Sequence, residues 1–240
     1  MKRLILFFLI SGCAANHVAT SQFDLQTIDA GKYQIAAWTH ITDAAAPVHI
    51  YIEGDGAAFS RRGTPTSDPT PREWTVRNLA ARDTSPNVAY IARPCQFISS
   101  PACGPREWTD GRFSADIITA MSDAIKIIAQ NRPVILIGYS GGAMISGLVV
   151  ARTPEINIKK WITIAGVLNH SEWTEYFGDT PLWRSLNMNE LPRVHQLHYV
   201  AARDKTVPVS LSRKWTGGEN LIILPGRGHN DFHDVVLNFD

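Results

Sequence analysis

Residues 133–143 read Pro-Val-Ile-Leu-Ile-Gly-Tyr-Ser-Gly-Gly-Ala. The apolar run near its start is rich in β-branched residues, which predicts a short strand buried on both faces. Residues 143–152 then predict a helix. Gly138, Ser140 and Gly142 lie at the turn between the two, where a serine hydroxyl projects above the edge of a sheet. A Cβ at either flanking glycine would collide with the neighbouring strand or helix. The chain is therefore predicted to turn sharply at Ser140.

The rest of the chain alternates predicted strands with predicted helices. Apolar runs and apolar–polar alternation predict strands at residues 23–28, 33–40, 48–52, 87–92, 161–165, 194–201 and 221–224. Apolar residues at helical spacing predict helices at residues 72–82, 113–130 and 209–215, with Ser114 a candidate N-cap. Such alternation is typical of a mostly parallel central sheet with helices on both faces, so the predicted fold class is α/β.

Composition and charge set limits on the class of protein. The chain has 240 residues, which suits one α/β domain with a full core, and its formal net charge is +1. No basic face is evident, so we expect no nucleic-acid partner. We expect no cofactor and no metal: His229 and His233 have a spacing that suits a metal on a helix, but no third ligand is apparent. The oligomeric state is left open.

The N-terminus predicts export from a bacterial cell. Lys2 and Arg3 precede a short apolar segment that is too short to span a bilayer, and small residues follow it. The sequence Ile-Ser-Gly-Cys ending at Cys13 resembles the lipobox of bacterial lipoproteins. That resemblance implies a signal peptide over residues 1–12, a Cys13 that becomes acylated and a tether over residues 13–22. An ordinary cleaved signal with an incidental cysteine is the alternative.

The anchor implies a location in the bacterial cell envelope, facing the periplasm. The absence of aspartate after Cys13 favours the outer membrane under the bacterial sorting rule. Cys95 and Cys103 then remain as an even pair in one loop-like segment. An exported location permits a disulfide between them, and two buried free thiols are the alternative.

Three segments together resemble the α/β-hydrolase superfamily. Gly138-Tyr139-Ser140-Gly141-Gly142 resembles its nucleophile elbow, residues 204–208 resemble its acid loop and residues 226–229 resemble its histidine loop. The resemblance extends over nearly all of the predicted domain, residues 23–240. It implies that Ser140 is the nucleophile, that His229 is the general base and later the general acid, and that Asp204 orients the imidazole.

The acid and the histidine each have alternative interpretations. Asp204 could be a turn or helix-cap aspartate, and His229 could cap a short last helix. Asp231 and Asp234 are rival acids, but they lie too near His229 in sequence to fit the family's arrangement.

The resemblance also implies an oxyanion hole made of two backbone N–H groups. One belongs to Gly141, and the other belongs to Asp55, with Gly56 as the alternative donor. Here the sequence departs from the family, because Glu53 and Asp55 are carboxylates beside a site meant for developing negative charge. We therefore expect the Asp55 side chain to point away or to be paired. A simple turn at these residues is the alternative.

The residues that select the substrate are less well marked. Residues 57–71 form a long loop, and residues 167–193 form a mixed segment that could be a small cap. Trp173, Phe177 and Trp183 either line an acyl or aryl pocket or belong to the core. Asn169 and His170 either reach the cleft or form a turn.

The leading hypothesis is a lipid-anchored serine hydrolase that cleaves small-molecule carboxylic esters through an acyl-enzyme. A serine peptidase or amidase with the same residues is the nearest rival, since the triad does not choose between ester and amide. A catalytically silent scaffold used for binding is the third hypothesis.

Overall fold

The protein is described here by a computed structural model over residues 22–240. Eight strands form one sheet in the order β1-β2-β4-β3-β5-β6-β7-β8. The strands are β1 Asp24–Ala30, β2 Tyr33–Ile41, β3 Val48–Ile52, β4 Asn87–Ile91, β5 Val134–Tyr139, β6 Ile158–Ile164, β7 His195–Ala201 and β8 Leu221–Leu224.

Strand direction divides the sheet into two parts. β2 is antiparallel to both β1 and β4, whereas all pairs from β4 to β8 are parallel. The central strands β3, β4 and β5 are buried along their whole length, as the continuous apolar run of β5 predicts for that strand. The predicted α/β class with a mostly parallel central sheet is confirmed.

Six helices accompany the sheet within residues 22–240. They are α1 Thr75–Arg82, α2 Pro105–Trp108, α3 Ala115–Ala129, α4 Gly141–Arg152, α5 His170–Phe177 and α6 Val209–Thr216. Helices α3 and α4 pack together and bury their apolar residues in the larger core, while α1 belongs to a second core on the other side of the sheet. Ser114 caps α3 by accepting a hydrogen bond from the Ile117 N–H.

Two local expectations are corrected. The cysteine loop contains the one-turn helix α2, which was not predicted because four residues are too few for a periodic pattern. The short last helix expected after His229 is absent from the described chain, where turns run to Asp234 and irregular backbone follows. Phe232 and Leu237 from this segment are buried in the second core, so an irregular tail covers the sheet there.

Cys95 and Cys103 form a disulfide with their Cα atoms 5.6 Å apart. The alternative of two free thiols therefore does not describe this structure. Cys13, the signal peptide and nearly all of the expected tether lie outside the described residues. Within residues 22–240, no helix combines the length and the apolar character that crossing a membrane requires.

Candidate active site

Ser140 occupies the sharp turn between β5 and α4. Its backbone has φ 50° and ψ −120°, a conformation that costs a non-glycine residue about 1–3 kcal/mol. Backbone hydrogen bonds hold it there: its N–H donates to the Ile164 carbonyl at 2.9 Å, and its carbonyl accepts from the Val167 N–H at 3.0 Å. The strained turn places Ser140 at the carboxyl end of β5, where it lines a cavity.

The two outer glycines of the turn allow close approach of the backbone. A Cβ on Gly138 would lie 2.7 Å from the Ala143 Cα, inside α4. A Cβ on Gly142 would lie 2.5 Å from the Glu53 carbonyl oxygen and 2.6 Å from the Ile52 carbonyl oxygen, at the end of β3. The collisions expected from sequence are thus present on both sides of Ser140.

The structure brings Ser140, His229 and Asp204 together, although they follow three different strands. His229 Nε2 lies 3.0 Å from Ser140 Oγ, and His229 Nδ1 lies 2.8 Å from Asp204 Oδ2. The Asp204 side chain is buried, and its other oxygen accepts from the N–H groups of Thr206 and Val207, both at 2.8 Å. These bonds hold the carboxylate in place, so the imidazole ring bridges the hydroxyl and the acid.

The loop that carries His229 is held from below by Tyr139. The Tyr139 hydroxyl donates to Asn230 Oδ1 at 2.6 Å, and its ring centroid lies 5.3 Å from that of His229. Thr75, the first residue of α1, donates its hydroxyl to the Asn230 carbonyl at 3.1 Å. These contacts support the imidazole although the helix expected after it is absent.

The rival acids bind elsewhere. Asp231 accepts from the Gly228 N–H at 2.8 Å, and Asp234 pairs with Arg227. Both therefore act within the loop, and neither contacts the His229 ring. Among residues 22–240, no group of three or more His, Cys, Asp or Glu side chains could hold a metal ion.

The loop that was expected to supply oxyanion donors lies directly against the turn at Ser140. A Cβ on Gly54 would lie 3.2 Å from the Ser140 Cβ, and a Cβ on Gly141 would overlap Asp55 Oδ1. The N–H groups of Asp55, Gly56 and Gly141 donate to no acceptor within residues 22–240. Gly141 N–H is also at the N-terminus of α4, where the helix dipole favours negative charge.

The Asp55 carboxylate is paired. It binds Arg93 through Oδ1 and Arg112 through Oδ2. Burial alone would raise the pKa of Asp55, but the charges and hydrogen bonds of Arg112 and Arg93 outweigh it and hold the pKa at about 2. The negative charge that the sequence brings to this loop is therefore compensated by two guanidinium groups.

Glu53, at the end of β3, is a buried acid. Its carboxyl oxygens accept from the Tyr90 hydroxyl at 2.7 Å and from the Gly54 N–H at 2.8 Å. Burial raises its pKa to about 7, because the ionised form loses more hydration than these partners return. The Glu53 side chain thus joins β4 to the loop that begins at Gly54.

A cavity of about 1050 Å³ opens beside Ser140 and His229. The 57–71 loop forms part of its wall through Phe59 and neighbouring residues, and the 167–193 segment contributes Trp173 and Leu182. Of the other aromatic candidates, Trp183 is 81% exposed and does not line the cavity, and neither does Phe177.

Asn169 and His170 do not line the cavity either. Asn169 is the N-cap of α5 and accepts from the Glu172 N–H at 2.9 Å. His170 is buried with its ring against Phe113, at a centroid distance of 5.8 Å. The interpretation of this pair as a turn into a helix is the one that the geometry supports.

Sequence reasoning missed the side chains that support the site. Arg93 follows the buried strand β4, and a charged residue at the carboxyl end of such a strand was an available signal. No local signal marks Arg112, because it lies in an irregular turn 57 residues from Asp55. The roles of Tyr139 and Thr75 likewise depend on contacts between distant segments.

No protein-family model matches the sequence, and no curated protein matches it. Solved structures do match. An α/β serine hydrolase homologue from Coxiella burnetii is 14% identical, with a TM-score of 0.57 over 86% of this chain and 89% of that chain. A serine hydrolase without a lid from Xanthomonas campestris is also 14% identical, with a TM-score of 0.55 over 89% of this chain and 88% of that one.

Est1E from Butyrivibrio proteoclasticus is 15% identical, with a TM-score of 0.59 over 87% of this chain and 92% of that chain. Likeness at such low identity is a likeness of fold. The sheet order, the parallel core and these matches show that the chain has the α/β-hydrolase fold.

Proposed function

We propose that the protein is a serine hydrolase that cleaves carboxylic esters through an acyl-enzyme. The observation that carries the proposal is the continuous chain of hydrogen bonds from Ser140 Oγ through the His229 ring to Asp204. A serine hydroxyl is a poor nucleophile at neutral pH, and this arrangement supplies the base that activates it and the acid that orients the base.

The first step forms the acyl-enzyme. Ser140 Oγ attacks the ester carbonyl carbon while its proton passes to the neutral Nε2 of His229. Asp204 accepts a hydrogen bond from the Nδ1–H of His229 and stabilises the imidazolium. The tetrahedral intermediate collapses, the C–O bond to the alcohol breaks, and His229 returns the proton to the leaving oxygen.

The second step repeats the chemistry with water. His229 takes a proton from water as its oxygen attacks the acyl carbon, and the Ser140 Oγ–carbon bond then breaks with return of the proton to Ser140. The carboxylic acid leaves. In both steps the developing oxyanion receives hydrogen bonds from the N–H groups of Gly141 and Asp55, and each donor of this kind contributes about 100- to 1,000-fold in rate.

We propose further that the enzyme is held in the bacterial cell envelope by acyl chains on Cys13. The motif at that residue and the disulfide between Cys95 and Cys103 support an exported location. Radiolabelled palmitate should enter the wild type and not Cys13→Ser. Equal incorporation into both would remove the lipid anchor and leave the proposed activity untouched.

Covalent labelling tests the activity. A fluorophosphonate probe should label the wild type at Ser140, and both Ser140→Ala and His229→Ala should abolish labelling. Ser210→Ala is the control, because Ser210 is an exposed serine of α6. A folded wild type that never labels would favour a binding scaffold instead.

Matched substrates divide the two enzyme hypotheses. A panel of p-nitrophenyl esters of increasing acyl length should be hydrolysed, whereas the corresponding p-nitroanilides should not react faster than they do without enzyme. Preferential cleavage of the anilides would replace the ester proposal with the amidase. The cavity has room for a sizeable acyl group, so the panel also measures the preferred acyl length.

A further inference from the structure

Two arginines share one carboxylate at the wall of the cavity. The side chains of Arg93 and Arg112 are 5% and 7% exposed, and both pair with Asp55, whose side chain is 26% exposed. Three formal charges therefore leave one positive charge in excess. Burying a charge without a partner is unfavourable, so a second buried cation beside a single anion calls for an explanation.

The position of the two guanidinium groups shows which arginine a substrate could reach. Both terminal nitrogens of Arg93 donate, one to Asp55 and one to the Arg112 carbonyl, and only its Nε has no acceptor within residues 22–240. Arg112 donates from Nε to the Thr109 carbonyl at 2.7 Å and from Nη1 to Asp55. Its Nη2 donates to no group within residues 22–240 and is not sealed from solvent. Of the two arginines only Arg112 lines the cavity.

The other charges around the cavity do not cancel this excess. Arg61 and Arg72 face solvent, as do Glu73 and Asp179, and Asp110 is partly buried and pairs with Arg184. Exposed charges are screened by water and salt. Glu53 is the buried acid among the cavity-lining residues, but burial raises its pKa to about 7, so it is only partly ionised near neutral pH, and it accepts its hydrogen bonds from Tyr90 and the Gly54 N–H rather than from an arginine.

The cluster lies close to the reacting atoms. Asp55 Oδ1 contacts the Gly141 Cα, and Arg93 Nη1 lies 3.1 Å from the position that a Cβ on Gly141 would take. Gly141 directly follows the nucleophile and carries one of the proposed oxyanion donors. Arg112 binds the other oxygen of the same Asp55 carboxylate, so a group bound at Arg112 would lie near the substrate carbonyl.

We propose that Arg112, supported by Arg93, binds a carboxylate on the acyl part of the substrate, so that half-esters of short dicarboxylic acids are preferred. This rests on the function proposed above. A guanidinium with a free amino group offers a carboxylate charge-assisted hydrogen bonds, and the bound anion compensates the excess positive charge. Phe59, whose ring centroid lies 5.5 Å from Arg112 Cζ, covers the same guanidinium.

The test compares p-nitrophenyl hemisuccinate with neutral p-nitrophenyl butyrate, which have acyl groups of similar length. The wild type should favour the hemisuccinate in kcat/KM. Arg112→Gln should lower that preference about 10- to 100-fold, as expected for loss of a charged hydrogen bond, mainly through KM for the hemisuccinate. Arg112→Lys should keep part of the preference. Arg61→Gln, at an exposed position of the same cavity, should leave it unchanged.

Several outcomes would overturn the proposal. An equal loss on both esters in Arg112→Gln would mean that Arg112 only positions Asp55. A wild type with no preference for the hemisuccinate would mean that the site binds no carboxylate. A stronger preference for 4-acetoxybenzoate, which carries its carboxylate on the leaving alcohol, would mean that Arg112 binds a carboxylate on the alcohol side of the substrate. Failure to cleave any of the esters, in a protein that is folded, would count against the proposed function rather than the subsite.

Discussion

His229 Nε2 lies 3.0 Å from Ser140 Oγ, although 89 residues separate the two in the chain. The opposite ring nitrogen, Nδ1, lies 2.8 Å from Asp204 Oδ2. Since a carboxylate only accepts hydrogen bonds, Nδ1 carries the proton and Nε2 presents its lone pair to the serine. The geometry thus selects the tautomer that a general base at Nε2 requires.

Asp204→Asn should remove that selection. The amide would offer Nδ1 a donor in place of an acceptor, so the imidazole would favour the wrong tautomer. We expect kcat for p-nitrophenyl butyrate to fall about 10,000-fold with little change in KM. Asp231→Asn is the matched control, because Asp231 has no contact with the His229 ring. A similar loss in that variant would show that a change in the loop, and not the tautomer of His229, lowers kcat.

Ser140 should be a site of stored backbone strain. Its φ of 50° suits glycine, so Ser140→Gly should unfold at a higher urea concentration than Ser140→Ala. The free energy of unfolding should be about 1 kcal/mol larger for the glycine variant, after subtraction of the extra entropy that glycine gives the unfolded chain. Neither variant should hydrolyse esters. Ser122, inside α3, is the control, because there the glycine variant should be the less stable of the two by a similar amount. The same order at both positions would contradict strain at Ser140.

The disulfide should stabilise the folded domain. Cys95 and Cys103 are eight residues apart in sequence, and closing a loop of that size is worth about 2–3 kcal/mol through the entropy of the unfolded chain. Urea unfolding of the wild type should therefore shift to lower concentrations on reduction. The Cys95→Ser/Cys103→Ser double variant should unfold at the same urea concentration as the reduced wild type, whether or not reductant is present. Two free thiols in mass mapping of the untreated protein would contradict the bond.

Glu53 should make stability depend on pH. Burial raises its folded pKa to about 7, above the ordinary value of 4.5, so the folded state holds this proton where the unfolded state has released it. The stabilisation of the folded state by this proton is full below about pH 4.5 and is lost as pH rises through 7. The free energy of unfolding of the wild type should therefore fall, relative to Glu53→Gln, on the order of 2–3 kcal/mol between pH 5 and 8.

Urea unfolding of both proteins at several pH values measures this difference. Glu73→Gln serves as the control, since Glu73 is exposed at the mouth of the same cavity and should leave the pH profile of the wild type in place. Parallel profiles for wild type and Glu53→Gln would contradict a buried acid with a raised pKa.

Much of the fold follows from patterns that are local in the sequence. Continuous apolar runs such as 134–137 predict strands buried on both faces, and residues 115–129 carry the apolar spacing of a helix that Ser114 caps. The predicted boundaries differ from the observed ones by a few residues, since helix ends depend on caps and contacts. The prediction of a last helix was wrong because of tertiary contacts: Phe232 and Leu237 bury their side chains in the second core without helical backbone.

Local patterns in the sequence predicted the eight strands, four of the six helices within residues 22–240, the turn at Ser140 and the residues proposed for catalysis, because each depends on a short motif or a local period. The side chains that surround them meet only in the folded chain. Asp55 meets Arg93 and Arg112 across separations of 38 and 57 residues, and Tyr139 supports a loop 91 residues away. Contacts of that kind arise where parallel strands end at a common edge of the sheet, and no local pattern in the chain encodes which side chains will meet there.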